Sequence, residues 1–238
     1  MIIDAHTHIL PGIDDGSKNM ETSLAILEEQ KRQGVKLVFA TPHYYNTRQS
    51  VDDFLCQRND AYHRLMEEWG QTDPGICLGA EVTFWNGISY QDDIERLCIG
   101  NSNLLMLEMP FRPWSRDEFN EVRNLQEFKG MNIILAHLER FWEIKENRKY
   151  IEELVYSSFY VQINTGSFEN RKVRKLLLKW IKEGVVSFLG SDCHGMNRRP
   201  PNLREGRAYI EKKLGSGLLN DIDEEAEAIL RQSLKRGN

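Results

Sequence analysis

The side chains best suited to chemistry are histidines and acids that recur at short spacings. His6-Thr7-His8 sets two imidazoles two positions apart, and Asp192-Cys193-His194 does the same with a carboxylate and an imidazole. Side chains alternate along an extended chain, so each pair points to one side while Thr7 and Cys193 point away. Imidazole and carboxylate together suit Zn, Mn or Fe better than Ca or Mg. Further donors follow: Asp14-Asp15, one of which can join the first histidine pair, then His43, Glu81, Glu108 and His137. Any one of these alone reads as readily as a structural residue; their coincidence points to a metal site. Arg140 follows His137 and Arg199 follows His194. A guanidinium presents a planar fork of donors that matches phosphate oxygens. Metal ligands beside arginines suggest phosphoester chemistry, because metals neutralise a phosphoryl dianion and activate water.

Such dispersed residues need a scaffold that gathers them. Seven apolar, β-branched runs read as strands: Ile2–Ala5, Lys36–Ala40, Ile76–Gly79, Leu104–Leu107, Asn132–Ala136, Tyr160–Ile163 and Val185–Leu189. Helical stretches lie between them, over about Met20–Gln33, Val51–Trp69, Arg116–Lys129, Asn147–Tyr156, Asn170–Glu183 and Leu203–Leu214, with a last one over about Asp223–Leu234. Ser17 or Asn19, Ser50 and Ser115 can cap helices, and Gly34, Gly130, Gly184 and Gly215 can end them. The alternation predicts an α/β chain with a parallel sheet, either a TIM-like barrel one unit short or an open doubly wound sheet. No G-x-G-x-x-G follows the first strand, which removes the dinucleotide reading. Six of the seven strands run into a His, Asp or Glu; Tyr160–Ile163 does not. In a barrel those ends open on one face, where active sites form. His63 lies mid-helix and reads as a surface residue. Tyr44, Tyr45, Phe84, Trp85, Phe111 and Trp114 follow strand ends and read either as flanks for an aromatic substrate or as rim packing.

The chain has 238 residues, 28% of them charged, with a formal charge of −5. That balance argues against nucleic-acid binding by bulk charge. No apolar run approaches the roughly 18 residues of a membrane span, and the N-terminus lacks signal-peptide features. A cytoplasmic protein without membrane insertion is expected. Four cysteines without C-x-x-C predict free thiols. Cys193 and Arg199 satisfy a bare C-x5-R, the pattern of a thiol phosphatase. Yet Asp192 precedes that cysteine, and Pro200, which has no N–H, follows the arginine.

Asp4-Ala5-His6-Thr7-His8, Asp14-Asp15-Gly16, Thr41-Pro42-His43, Gly79-Ala80-Glu81, Glu108, Ala136-His137-Leu138-Glu139-Arg140 and Ser191-Asp192-Cys193-His194 together resemble the PHP (polymerase and histidinol phosphatase) superfamily. Asp15, Glu108 and Arg199-Pro200-Pro201 are closer to its bacterial protein-tyrosine-phosphatase branch, found with capsule and exopolysaccharide synthesis genes; other members often carry His at the first two positions. The resemblance spans residues 2 to about 210 and implies one domain over 1–238 with the PHP fold, a distorted (β/α)7 barrel. It implies three divalent transition-metal ions, Mn first with Fe or Zn as alternatives. The first would be held by His6, His8, Glu81 and Asp192, the second by Asp15, His43 and His194, and the third by Glu81, Glu108 and His137. Arg140 and Arg199 would contact phosphate, and a metal-activated hydroxide would attack phosphorus, with Asp192 or a metal assisting the leaving phenolate. The implied partner is a phosphotyrosine protein, an autophosphorylating bacterial tyrosine kinase that regulates polysaccharide synthesis. Histidinol-phosphate phosphatase or nuclease activity is the rival within the superfamily.

Overall fold

The computed structural model describes residues 1–234. Strands and helices alternate: β1 (Ile3–Thr7), α1 (Met20–Arg32), β2 (Leu37–Ala40), β3 (His43–Tyr44), α2 (Val51–Trp69), β4 (Gly75–Leu78), β5 (Glu81–Thr83), β6 (Leu104–Glu108), α3 (Arg116–Lys129), β7 (Asn132–Leu135), α4 (Arg148–Val155), β8 (Tyr160–Asn164), α5 (Arg174–Lys182), β9 (Val186–Gly190), α6 (Leu203–Leu214) and α7 (Ser216–Ser233). These strands pair in parallel, in the orders β1-β2-β4 and β3-β5-β6-β7-β8-β9. Past the end of β9 the chain returns to β1: Asp192 N–H donates to His6 O at 2.8 Å and His8 N–H to Cys193 O at 3.0 Å. The wall is a distorted barrel of seven strand positions, as the family resemblance implied; the alternation alone had left the open doubly wound sheet as its alternative.

Strands two and three each break and resume, which the sequence did not announce. Pro42 interrupts the first run between β2 and β3, since proline donates no ladder bond. Between β4 and β5 the chain bends at Gly79, where a Cβ would fall 2.9 Å from Ile99, and buried Arg58 donates to the Gly79 carbonyl at 3.0 Å. The short strands beyond the breaks set His43 directly opposite Glu81.

Local chemistry explains several helix ends. Asn19, rather than Ser17, caps α1 by accepting from Thr22 N–H; Ser17 bonds the Ser23 hydroxyl instead. Ser115 and Glu118 form a capping box on α3, and Gly130 ends that helix in a left-handed conformation. α7 begins at Ser216, earlier than the expected Asp223: only Gly215 breaks the chain there, and Gly217 is tolerated in the first turn.

The interior is layered. Alternate residues Ile3, Ala5, Phe39, Leu104, Met106, Ile134, Ala136 and Phe188 meet inside the wall, and Ala226 and Ile229 of α7 close its lower end. A larger apolar layer packs the helices on the outside. Continuing the inward alternation upward replaces apolar side chains with polar ones: Met106 gives way to Glu108, Phe39 to Thr41 and His43, and Phe188 to Gly190 and Asp192. The polar upper layer is the candidate site.

Candidate metal centre

Backbone irregularities aim the ligand-type side chains inward. The register of β1 shifts between Asp4 and Thr7, turning His6 and His8 into the barrel although Ala5 also faces inward. His137 and Asp192 are the only non-glycine residues with positive φ among the described residues (33° and 52°), and both lie at the upper rim. Gly16 lets its loop fold onto His8, where a Cβ would come 2.4 Å from the histidine's own Cβ.

Glu81 stands at the middle. Its Oε2 lies 3.1 Å from His6 Nε2, 3.2 Å from His8 Nε2 and 3.1 Å from His43 Nδ1; its Oε1 is 2.8 Å from His137 Nε2. Glu108 approaches His137 Nε2 at 3.4 Å. Asp15 bridges His43 Nε2 (3.6 Å), His194 Nε2 (3.4 Å) and Arg199 (3.5 Å). Asp192 directs Oδ1 to His8 (3.5 Å), His194 (3.4 Å) and His6 (3.8 Å), and Oδ2 to Arg199 (3.2 Å) and Arg140 (3.6 Å). All eleven residues expected at the site from the sequence converge here. Donor atoms of seven of them gather as three overlapping groups, each within 4.8 Å: His6, His8 and Glu81; His8, Asp15, His43 and His194; and His43, Glu81 and Glu108. These groups differ from the expected ligand sets: Asp192 and His137 fall in none of them, His8 joins the second, and His43 stands in the third where His137 was expected. The groups share His8, His43 and Glu81 because the strand ends crowd around one carboxylate.

The donor set fits cations. His6 Nδ1 faces Gln162 Oε1 (3.1 Å) and His8 Nδ1 faces Asp14 Oδ2 (2.6 Å), so in the neutral rings both Nε2 atoms keep lone pairs; these lie 3.2 Å apart beside a carboxylate. Only a cation, proton or metal, reconciles them. His43 Nδ1, Glu81 Oε2 and His194 Nε2 are buried with no hydrogen bond. Electrostatics agree. Burial alone would raise the Glu81 carboxyl, but His6, His137 and His8 hold it well below the usual carboxylate range. Burial opposes charge on His137, yet Glu108 and Glu81 lift it to about 10. Burial and the neighbouring His8 push His194 down, and the two rings lie tilted against each other with centroids 3.9 Å apart.

The site opens into a cavity of about 660 Å³ walled by Arg140, Ser191, Asp192, Arg198 and Arg199. A second of about 310 Å³ lies beside Asp15, His43, Tyr45 and Arg48. Of the six rim aromatics, Phe111 and Tyr45 face the site: Phe111 stacks 6.0 Å from His137 beneath the Arg140 guanidinium, and Tyr45 lies 5.3 Å from His43. Tyr44, Phe84 and Trp114 are buried packing residues, and Trp85 packs against Tyr44. His63 is exposed on α2, as expected. Cys193 is no nucleophile: it is fully buried in the core and burial pushes its thiol up to about 12. The C-x5-R match is therefore incidental, and none of the four cysteines is in a disulfide.

A family model for capsular polysaccharide synthesis, CpsB/CapC, matches residues 2–231. The chain belongs to this family. Tyrosine-protein phosphatase YwqE of Bacillus subtilis (strain 168) is 30% identical over 97% of the chain and 92% of the relative. Tyrosine-protein phosphatase CpsB of Streptococcus agalactiae serotype III is 24% identical over 97% of the chain and 98% of the relative. A crystal structure from the pair YwqE of Bacillus subtilis and CpsB of Streptococcus pneumoniae, described as unique metal-dependent tyrosine phosphatases, superposes with a TM-score of 0.83 at 28% identity, over 98% of this chain and 95% of that one. In this CpsB/CapC chain, the sequence reading missed Asp14 as a partner of His8 and missed both polar residues of β8; Asp-Gly turn chemistry masked the first, and amides carry no ligand signal for the second. No helix among the described residues is long and apolar enough to cross a membrane.

Proposed function

We propose that this chain is a metal-dependent protein-tyrosine phosphatase of the PHP type. It uses three divalent transition-metal ions, manganese first with iron or zinc as alternatives. It acts in the cytoplasm on the phosphotyrosine of a bacterial tyrosine kinase that controls capsular or exopolysaccharide synthesis. The observation that carries this reading is the convergence of His6 Nε2, His8 Nε2 and His43 Nδ1 on one oxygen of Glu81, bordered by two arginines. Family membership supports the substrate.

His6, His8, Asp15, His43, Glu81, Glu108, His137, Asp192 and His194 would hold the metals. Bound metals supply Lewis acidity, neutralising the phosphoryl dianion and lowering the pKa of water. Arg140 and Arg199 receive the phosphoryl oxygens and steady charge that spreads over them during transfer. Asp192 Oδ2 sets the direction of both guanidinium groups. Phe111 and Tyr45 offer apolar faces to the tyrosyl ring. Ionised Asp192, held far below its ordinary pKa despite burial by His6 and its neighbours, has no proton to give the leaving phenolate.

The test pairs elemental analysis of the native protein with phosphotyrosine-peptide hydrolysis, with and without chelator. Bound transition metal and chelator-sensitive turnover are expected. Activity that survives chelation but is lost to thiol reagents refutes the reading. Histidinol phosphate and single-stranded DNA, run in parallel, should be poor substrates.

A further inference from the structure

β8 is the strand whose end bears no ligand-type side chain. It presents two amides instead, Gln162 opposite Phe188 and Asn164 opposite Gly190, both inside the barrel. Gln162 Oε1 accepts from the backbone N–H of His137 at 2.7 Å and lies 3.1 Å from His6 Nδ1. Gln162 Nε2 donates to Asn164 Oδ1 at 2.9 Å, and Asn164 Nδ2 donates to Asp192 Oδ2 at 2.8 Å. Both amides are buried.

The chain of bonds has a fixed polarity. A backbone N–H can only donate, so the oxygen of Gln162 must face His137. An ionised carboxylate can only accept, so the nitrogen of Asn164 must face Asp192. Neither amide can flip without leaving two like groups face to face in a buried place, each with its hydrogen bond unmade. It follows that His6 Nδ1 bears the proton it shares with Gln162 Oε1, leaving the Nε2 lone pair toward His8 and Glu81. Gly190 keeps this space open: a Cβ there would lie 2.7 Å from both Gln162 Nε2 and His6 Cβ.

We propose that Gln162 and Asn164 are positioning residues: a two-amide relay that fixes His6 in its Nδ1–H tautomer and holds Asp192 Oδ2 so that Oδ1 faces the histidines. The relay thus couples the metal-facing nitrogen of His6 to the carboxylate that aligns Arg140 and Arg199. It rests on reading His6 and Asp192 as ligands, but its tautomer state exists in the metal-free protein.

The experiment is nitrogen NMR of the histidine rings in metal-free protein at about pH 8, above the ordinary imidazole pKa. His6 is assigned by comparison with His6→Gln. Mn(II) affinity is measured by calorimetry, and circular dichroism checks the fold. Wild type should show His6 protonated at Nδ1. Gln162→Leu should lose that signature and bind Mn(II) about 10–100-fold more weakly. Asn164→Asp sets a carboxylate against Asp192 but still accepts from Gln162; it should keep the tautomer and lose affinity. An Nε2–H tautomer in wild type, or unchanged tautomer and affinity in Gln162→Leu, overturns the proposal. Should Gln162→Leu fail to fold, Gln162→Glu, which retains the acceptor, must preserve the tautomer, and its loss there is equally fatal. Protein with the expected tautomer that binds no Mn(II) refutes the metal reading and leaves the tautomer assignment standing.

Discussion

Asp14 Oδ2 lies 2.6 Å from Nδ1 of His8, while its neighbour Asp15 turns outward to His43, His194 and Arg199. Adjacent acids thus divide the work. Asp14 is mostly buried and also accepts the backbone N–H groups of His43 and Gly16. It orients the imidazole and raises its basicity, as a carboxylate behind a ligating histidine does. His8, although buried, is accordingly lifted well above its ordinary pKa by Asp14.

Asp14→Asn keeps the shape of this support and removes its charge. Metal affinity should fall about 10–100-fold with the fold retained. Calorimetric titration of metal-free protein measures it; an affinity equal to wild type would reduce Asp14 to a loop residue.

His137 governs a pH dependence of the metal-free protein. In the fold Glu108 and Glu81 outweigh burial and hold it at about 10, against about 6.5 in an unfolded chain. Folding therefore takes up a proton between those values. The stabilisation is complete below about pH 6.5 and is lost as pH rises through about 10. Tm of the metal-free protein should fall across that window, and His137→Gln should flatten the fall. A metal held by His137 would displace the same proton, so metal affinity should rise over the same range. A Tm that climbs with pH there would contradict the assignment.

Arg199 touches both Asp192 and Asp15 and borders the large cavity. Arg199→Ala should lower kcat/KM for a phosphotyrosine peptide by about 10²–10³-fold, the usual loss for one donor to a developing anion. Metal content should stay near normal. Arg199→Lys should recover only part, because an ammonium lacks the planar fork. Full activity in either variant would remove Arg199 from the phosphate site.

Alkylation separates the cysteines. Cys56 is exposed and should react with iodoacetamide in the native protein, whereas Cys193, buried with its thiol pushed up to about 12, should react only after unfolding. Mass mapping of the labelled sites, with turnover measured before and after, checks this. Rapid native labelling of Cys193 accompanied by loss of turnover would revive the thiol mechanism.

The donor types, their places at strand ends and the repeating strand–helix order are legible along the chain, because they follow from local rules: period-two alternation, helix caps, and glycine or proline stops. His6 and His8 meet as their spacing demands. Residue type and spacing left Asp14 and Asp15 equivalent, since both fit one turn; the family resemblance named Asp15, and the role of Asp14 shows only in its distance to His8. Nor could residue type or spacing show Gln162 and Asn164, whose importance lies in partners 25 to 156 residues away. Which nitrogen of each ring faces inward depends on the folded wall: on the bulge in β1, the left-handed backbone at His137 and Asp192, and the breaks at Pro42 and Gly79. A hydrogen bond is satisfied by whatever group the barrel wall brings within 3 Å or so, and that proximity is a property of the whole wall.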